Sequence, residues 1–187
     1  MKTFLKAICL SGGFVAAMAT AQAADVTSGM ALTSSSFSDN DLMDRKFAGK
    51  GGPRKCDGEN VSPALSWSLP PEGTKSFAVY AYDAVGRYGL GVVHWVLYDI
   101  SADVTGFAEG EVPAGARSGK NITTKLCYLG PCPDVGDKPH HYEFILIALS
   151  AEPGTLPGEM TGAEFMAAIK DHALGATSIV GRYARNP

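Results

Sequence analysis

In three segments of the chain, most residues at both the odd and the even positions are hydrophobic. If such a segment were extended, both of its faces would be apolar. The three segments are residues 76–82, 92–100 and 142–149. A strand with one face in water alternates apolar and polar residues, whereas a strand that is covered on both sides does not. The pattern therefore predicts three central strands of a sheet that is covered on both faces.

Two weaker patterns predict additional strands. Residues 64–69 alternate between apolar and polar side chains and end at Pro70 and Pro71, which predicts a strand followed by a turn. Residues 177–183 predict a last strand near the C-terminus. No internal repeat and no domain linker interrupts the pattern, so we expect one mainly β domain.

The remaining segments predict irregular connections. Residues 33–41 and 49–55 are rich in Ser, Gly and Lys, and leave room for at most one short strand near Phe37. Residues 101–139 contain no strong periodic segment. A loop of that length in a compact domain is usually functional or fixed by a crosslink.

One helix is predicted near the C-terminus. Thr161, followed three residues later by Glu164, has the pattern of a capping box. Phe165 and His172 would share one face of this helix, and Gly175 would end it.

The first 23 residues have the pattern of a secretory signal peptide. Two lysines precede an apolar stretch at residues 7–19, and Ala21 and Ala23 stand at the usual cleavage spacing. The apolar stretch is too short and too rich in Gly and Ala to span a bilayer comfortably. We predict a signal peptide at residues 1–23 and a single domain at residues 24–187, periplasmic or secreted and without a transmembrane segment. The alternative is a buried N-terminal helix.

The charge of the chain excludes one class of partner. The formal net charge is −3, and cleavage would remove two lysines and make the domain more acidic. A nucleic-acid-binding protein would instead carry a basic stripe. We therefore expect no nucleic-acid partner.

Signal-peptide cleavage would leave three cysteines, Cys56, Cys127 and Cys132, in an oxidising compartment, where two thiols within reach usually pair. Joining Cys56 to Cys132 would restrict the unfolded state by about 4.5 kcal/mol, and joining Cys127 to Cys132 by only about 2 kcal/mol. Entropy favours the long loop, but the spacing alone leaves all three pairings open. A zinc site is the other interpretation, but no C-x-x-C or H-x-x-x-H spacing is present, so we predict no metal.

Five polar side chains are placed near strand ends by the same patterns. If a strand begins at residue 139 or 140, His140 and Tyr142 point to one face and His141 to the other. Asp83 ends one central strand and His94 lies near the start of the next, so we expect them to be neighbours. The alternative is that such a histidine is a buried residue bonded to a backbone carbonyl, and such an aspartate a turn residue.

Several motifs, in order along the chain, resemble those of the phosphatidylethanolamine-binding proteins (PEBPs), and specifically the bacterial Raf-kinase-inhibitor-like branch. They are CDGENVSPALSW at 56–67, PEGTKSFA at 71–78, HWV at 94–96, GKN at 119–121, GPCP at 130–133 and HHY at 140–142. This resemblance implies a PEBP-like fold, with a central antiparallel Greek-key sheet, a smaller second sheet and a peripheral C-terminal helix.

The resemblance also implies a pocket that takes phosphate, a phospho-headgroup or a similar small anion. The residues that match this pocket are Asp83, His94, Gly130, Pro131, His140 and Tyr142. Two imidazoles and a phenol can donate hydrogen bonds to an oxyanion. Cys56 opens the first motif and Cys132 lies in the pocket loop. The resemblance therefore implies that these two cysteines form the disulfide.

The chain departs from the family pattern at the rim of this pocket. Asp83-Ala84-Val85-Gly86-Arg87 stands where the family usually has Asp-Pro-Asp-Ala-Pro, and Val92 and Val93 stand where an aromatic residue is usual. These changes remove a carboxylate, two prolines and an aromatic wall, and add Arg87.

Two classes of function fit these observations. The first is a binding protein that is not an enzyme, needs no cofactor, holds a small anionic ligand and modulates a partner protein. The second is a hydrolase or isomerase in which His94 or His140, oriented by Asp83, acts as a general base. No G-x-S-x-G motif, papain-like cysteine context or pair of metal ligands supports the enzyme, so the binding protein is the preferred hypothesis.

Overall fold

The computed structural model describes residues 29–185, and the predicted signal peptide lies outside the described residues. The described strands are β1 (Ala31–Thr33), β2 (Asp41–Leu42), β3 (Lys50–Gly51), β4 (Cys56–Asp57), β5 (Leu65–Ser68), β6 (Ser76–Asp83), β7 (Val92–Ser101), β8 (Gly106–Phe107), β9 (Arg117–Ser118), β10 (His140–Leu149) and β11 (Ala173–Tyr183). Helix α1 spans Gly162–Ile169, a single 3-10 turn lies at Arg45–Phe47, and a turn with left-handed residues at its centre spans Gly86–Gly89.

Six strands form the central sheet, in the order β2-β11-β10-β6-β7-β9. All neighbouring strands are antiparallel except the short parallel pair of β2 with β11. The three segments that are apolar on both faces correspond to β6, β7 and β10, and the hairpin of β10 and β11 returns to lie beside β6.

Each face of the central sheet is covered, because both faces of its strands are apolar. A three-stranded antiparallel sheet, in the order β1-β5-β8, packs on one face, where Trp67 contacts Phe77 at a ring-centroid distance of 5.4 Å. Helix α1 packs on the other face, where Phe165 lies 5.8 Å from Tyr98. The prediction of a mainly β fold with a second small sheet and a C-terminal helix is confirmed.

Helix α1 begins as predicted and ends earlier than predicted. Thr161 accepts the backbone N–H of Glu164, and the Glu164 carboxylate accepts the Thr161 N–H, which completes the capping box. The helix stops at Ile169, and Gly175 lies within β11 opposite Ala148, so its prediction as the helix end is wrong. The hydrogen bonds between β10 and β11 outcompete helical propensity over this segment.

The prediction for His172 needs correction for the same reason, which is long-range pairing. His172 is not on the helix face, because its carbonyl accepts the backbone N–H of Ser150 at 2.9 Å where β10 turns toward β11. Phe37 lies between β1 and β2 and not in a strand, and its buried ring packs 5.8 Å from Phe144. No helix among residues 29–185 has the length and apolarity to cross a membrane.

Candidate functional site

The candidate site lies at one end of the central sheet. Strand β6 runs antiparallel to β7 and β10. Its last residue, Asp83, therefore lies at the same end of the sheet as Val92 and His140, the first residues of those strands. The three strands therefore bring their polar end residues together around one open cleft of about 1390 Å³.

A β-bulge in β7 turns His94 into this cleft. Ala81 pairs with Trp95 and Tyr82 pairs with Val93, so His94 is an extra residue without a partner in β6. Strict alternation would put His94 on the same face as Val96, which packs under helix α1. With the bulge, the His94 ring lies 5.0 Å from the ring of Tyr142, on the opposite face.

Asp83 and His140 form a buried pair. The Nδ1 of His140 lies 2.8 Å from the Oδ2 of Asp83, and their side chains are 13% and 3% exposed. A carboxylate only accepts, so the imidazole donates from Nδ1 and keeps Nε2 as its second functional nitrogen. That Nε2 lies 3.5 Å from a carboxylate oxygen of Asp137 at the cleft mouth.

The other oxygen of Asp83 holds the turn that follows β6. Its Oδ1 accepts the backbone N–H groups of Val85 and Gly86 at 3.0 and 3.1 Å. A Cβ atom at Gly86 would lie only 2.8 Å from Oδ2, so a side chain there would displace the carboxylate. Asp83 therefore orients the His140 ring and the turn at the same time.

His94 occupies a different electrostatic setting. Its Nδ1 donates to the carbonyl of Leu129 at 2.6 Å, because a carbonyl can only accept. Burial lowers the pKa of His94, and the Leu129 hydrogen bond and the charge of Asp83 oppose this only in part. The ring is therefore neutral near pH 7, and its Nε2 is a hydrogen-bond acceptor. The prediction that both imidazoles donate to an anion requires a proton on Nε2 of His94, because its Nδ1 proton is used by Leu129.

Tyr142 forms the floor between the two histidines. Its ring lies 6.4 Å from His140 in a stacked arrangement and edge-on to His94. Burial, with a contribution from the charge of Asp83, raises the pKa of Tyr142, so the phenol keeps its proton and can donate a hydrogen bond.

The loop that contains Gly130 is shaped by Asn60, a residue that was not among the predicted site residues. The Asn60 side chain accepts the N–H of Gly130 at 2.8 Å and donates to the carbonyl of Tyr128 at 3.0 Å. Asn60 has a positive φ of 61°, a conformation that asparagine tolerates better than most residues. A left-handed asparagine cannot be recognised from sequence spacing, and its place inside a family motif was the available signal.

Five of the six matched pocket residues line the cleft, and Pro131 does not. Gly130 must lack a side chain, because a Cβ atom there would lie 2.4 Å from the carbonyl oxygen of Phe47. Pro131 is buried behind it, and its carbonyl accepts the N–H of Gly49 at 2.8 Å. Its role is to position the loop.

A disulfide joins Cys56 and Cys132 across the wall of the cleft, with their Cα atoms 5.8 Å apart. It links β4 to the loop that contains Gly130. Cys127 is exposed, carries a free thiol and also lines the cleft. Arg54 adds a noncovalent link, because its guanidinium donates to the Cys132 carbonyl at 3.1 Å.

The cleft mouth carries basic side chains and an unusual turn. Arg87 and Tyr88 both have left-handed backbones, with φ of 54° and 61°, at a cost of about 1–2 kcal/mol per residue. Tyr88 is 97% exposed. The basic residues that line the cleft are Lys50, Arg54, Arg87, Lys125 and Lys138. Within the described residues, no cluster of His, Cys, Asp and Glu has the arrangement of a metal site.

Comparisons with known proteins find similar sequences. A family model described as "Phosphatidylethanolamine-binding protein" matches residues 33–184. YbcL of Escherichia coli (strain K12) is 38% identical over 170 residues, which cover 87% of this chain and 87% of YbcL. A Mycobacterium tuberculosis protein whose name, LppC, describes it as a lipoprotein is 38% identical over 133 residues, which cover 68% of this chain and 62% of LppC.

A solved structure extends the similarity to the fold. The crystal structure of Escherichia coli YbcL is described as a new member of the mammalian PEBP family. It superposes with a TM-score of 0.77 and 33% sequence identity, covering 84% of this chain and 99% of the YbcL chain.

Proposed function

Because the chain belongs to the phosphatidylethanolamine-binding protein family, we propose that it is a binding protein whose cleft holds a small anion with a phosphate-like group. The observation that carries the proposal is the fixed His140 ring, held by Asp83 at 2.8 Å beside the phenol of Tyr142. Lys50 and Arg87 line the same cleft and favour negatively charged ligands, whereas Arg54 is paired with Asp134 at 3.6 Å.

The protonation of the two histidines decides how an anion would bind. Each ring uses its Nδ1 proton on a protein acceptor, Leu129 for His94 and Asp83 for His140. An anion oxygen can therefore contact an Nε2 atom only if a proton lies between them, either on the ring or on the anion. Anion binding in this cleft would be coupled to proton uptake.

The test is calorimetric titration of inorganic phosphate and phosphoethanolamine at several pH values. We expect the affinity to fall as pH rises through the range in which imidazoles and phosphate lose their protons. His140→Ala should weaken binding by about 1.5–3 kcal/mol, roughly tenfold to a hundredfold, because it removes a charge-assisted hydrogen bond.

His172→Ala is the matched control, since His172 lies near Ser150 between α1 and β11 and not in the cleft. It should leave the affinity unchanged. Titrations in buffers with different heats of ionisation should report net proton uptake. If the wild type binds neither anion, or if the two variants behave alike, the anion-binding proposal is wrong.

A catalytic function is the second candidate, and the pair of Asp83 and His140 is the observation that favours it. A carboxylate that orients an imidazole is the arrangement of a general base. We would then expect slow hydrolysis of aryl phosphates or esters that is lost in Asp83→Asn. A wild type that shows no turnover above that variant would leave the binding protein as the better account.

Export of a single domain, residues 24–187, and contact with a partner protein are further parts of the proposal. The signal-peptide pattern, the disulfide between Cys56 and Cys132 and the lipoprotein name of LppC support the cell envelope or the exterior as the site of action. The open cleft and its exposed mouth are compatible with a protein partner.

A further inference from the structure

The cleft is much larger than the small anion that its inner end would hold. Its volume of about 1390 Å³ is above the range of about 300–1,000 Å³ that is usual for ligand pockets. His140 and Tyr142 lie where the central strands end, and the turn after β6 forms part of the mouth. A ligand held at His140 therefore has room to extend toward the mouth, where other side chains would select what it carries.

The carboxylates that line the described cleft already have partners. They belong to Asp83, Asp134 and Asp137. Asp83 accepts from His140 and from two backbone N–H groups. Asp134 pairs with Arg54 at 3.6 Å, and Asp137 lies 3.5 Å from Nε2 of the His140 ring. An ammonium group on a ligand would therefore find no unengaged carboxylate in this cleft.

Four basic side chains of the same cleft have no such partner. They belong to Lys50, Arg87, Lys125 and Lys138. Among residues 29–185, none of the four forms an ion pair with a carboxylate. The cleft thus has a surplus of positive charge, although the chain as a whole has a formal net charge of −3. Such a surplus favours ligands that carry more than one negative charge.

The backbone of Arg87 is fixed relative to the His140 ring, because Asp83 holds both. The Oδ2 of Asp83 binds the His140 ring at 2.8 Å. Its Oδ1 accepts the backbone N–H groups of the two residues before Arg87, at 3.0 and 3.1 Å. Arg87 has a left-handed backbone, with φ of 54° and ψ of 45°. Such a conformation at a residue other than glycine persists where its surroundings require it, and it is frequent at functional sites.

We propose that Arg87 binds a second anionic group of the ligand, so that the cleft prefers compounds with a phosphate-like group and a carboxylate or a second phosphate. A guanidinium can bind either group through two parallel hydrogen bonds, which a lysine ammonium cannot do. Of the two arginines that line the described cleft, Arg54 is paired with Asp134, whereas Arg87 is free to make these bonds. This inference rests on the proposed anion-binding function and adds the chemical class of the ligand.

The same arrangement disfavours a ligand in which an ammonium group follows the phosphate. At the position that we assign to the second anion, an ammonium would face the like charge of Arg87, and like charges in contact weaken binding. The engaged carboxylates of the cleft would not compensate for this repulsion. Ligands with a distal anion and ligands with a distal cation should therefore differ clearly in affinity.

Calorimetric titration with two compounds of similar size tests the inference. Phosphoglycolate carries a carboxylate where phosphoethanolamine carries an ammonium, and both are phosphate monoesters. In a buffer without phosphate, the wild type should bind phosphoglycolate at least about tenfold more tightly, because a charge-assisted hydrogen bond replaces a like-charge contact. Arg87→Gln should remove most of this preference. Arg87→Glu should reverse it, since a carboxylate there can accept from the ammonium.

Three further variants separate a direct contact from a general change of charge. Lys170→Gln changes the net charge by the same amount at the end of α1, outside the cleft, and should leave the preference unchanged. Lys125→Gln changes the charge on another loop of the cleft and should reduce the preference less than Arg87→Gln does. Arg87→Lys should retain only part of it. All variants should melt within a few degrees of the wild type, because each altered side chain is exposed.

The outcomes separate this inference from the proposed function. A wild type that binds inorganic phosphate, but binds the two monoesters equally or prefers phosphoethanolamine, overturns the inference and leaves the anion site intact. A preference that persists in Arg87→Gln, or that is lost only in Lys125→Gln, also overturns the assignment to Arg87. A wild type that binds none of the three compounds removes the anion site and this inference with it.

Discussion

His94 and His140 are the same side chain in two different surroundings. His140 donates to a carboxylate, that of Asp83, whereas His94 donates to a neutral carbonyl, that of Leu129. The burial of His94 lowers its pKa and keeps the ring neutral. The two rings can therefore have different roles toward one anion, with His94 as an acceptor and His140 as the partner that Asp83 orients.

The lowered pKa of His94 predicts a loss of stability in mild acid. Below about pH 6.5 the unfolded chain takes up a proton at this histidine, whereas the folded chain does not until the pH passes below the lowered pKa. The contribution of His94 is thus fully present above pH 6.5 and declines as the pH falls. We expect the free energy of unfolding to fall by at most about 1.4 kcal/mol per pH unit from this group.

Urea unfolding between pH 7.5 and 4.5, in phosphate-free buffer, measures this effect. His94→Asn is the informative variant, because asparagine can keep the hydrogen bond to Leu129 but does not titrate. Its stability should depend less steeply on pH than that of the wild type in the region below pH 6.5. Parallel curves for the two proteins would mean that His94 is not held neutral by the fold.

At the scale of elements, two local irregularities build the site. The bulge in β7 brings His94 to the face of Tyr142, and the turn after β6 is held by the Asp83 carboxylate. Bulges are frequent next to functional sites because they redirect a side chain without breaking the sheet. The core strands supply rigidity, and these two departures from regularity supply the polar groups.

The disulfide between Cys56 and Cys132 joins β4 to the loop that contains Gly130. It closes a loop with a sequence separation of 76 residues. Replacing both cysteines by serine should lower the free energy of unfolding by about 2–5 kcal/mol, chiefly because the unfolded chain regains its freedom. Urea denaturation of the variant and of the wild type, without reductant, measures the difference.

Cys127→Ser provides the control for that experiment, since Cys127 is exposed and makes no disulfide. Its stability should equal that of the wild type within about 0.5 kcal/mol. Adding a reductant should bring the wild type to the level of the double-serine variant. A double-serine variant as stable as the wild type would mean that β4 and the pocket loop are held together sufficiently by noncovalent contacts, such as that of Arg54 with the carbonyl of residue 132.

At the scale of the whole molecule, we predict that the mature protein begins at Ala24. The pattern of the first 23 residues predicts export and cleavage, and the disulfide needs an oxidising compartment to form and persist. Mass spectrometry of the protein from the periplasm or medium should find Ala24 at the N-terminus and a Cys56–Cys132 linked peptide. Mature protein that retains Lys2, or a linkage of Cys127 with Cys132, would contradict the prediction.

The sequence by itself determined the fold class, and it determined which strand ends carry the site residues. Apolar residues on both faces of 76–82, 92–100 and 142–149 require cover on both sides, and such a period-two pattern is local information. The capping box of Thr161 and Glu164 is local as well, and it is present at the start of α1. The motifs that resemble the family also identified Asp83, His140 and Tyr142 as candidates.

Only the tertiary structure decided how these residues face one another. The helix ended early because residues 173–183 found hydrogen-bond partners in β10, which no local pattern specifies. His94 reached the cleft because one extra residue in β7 reversed the alternation, and Asn60 became part of the site through contacts about 70 residues away. Pairing register, bulges and burial depend on residues distant in the chain, and they determine both the direction of each side chain and the pKa of His94.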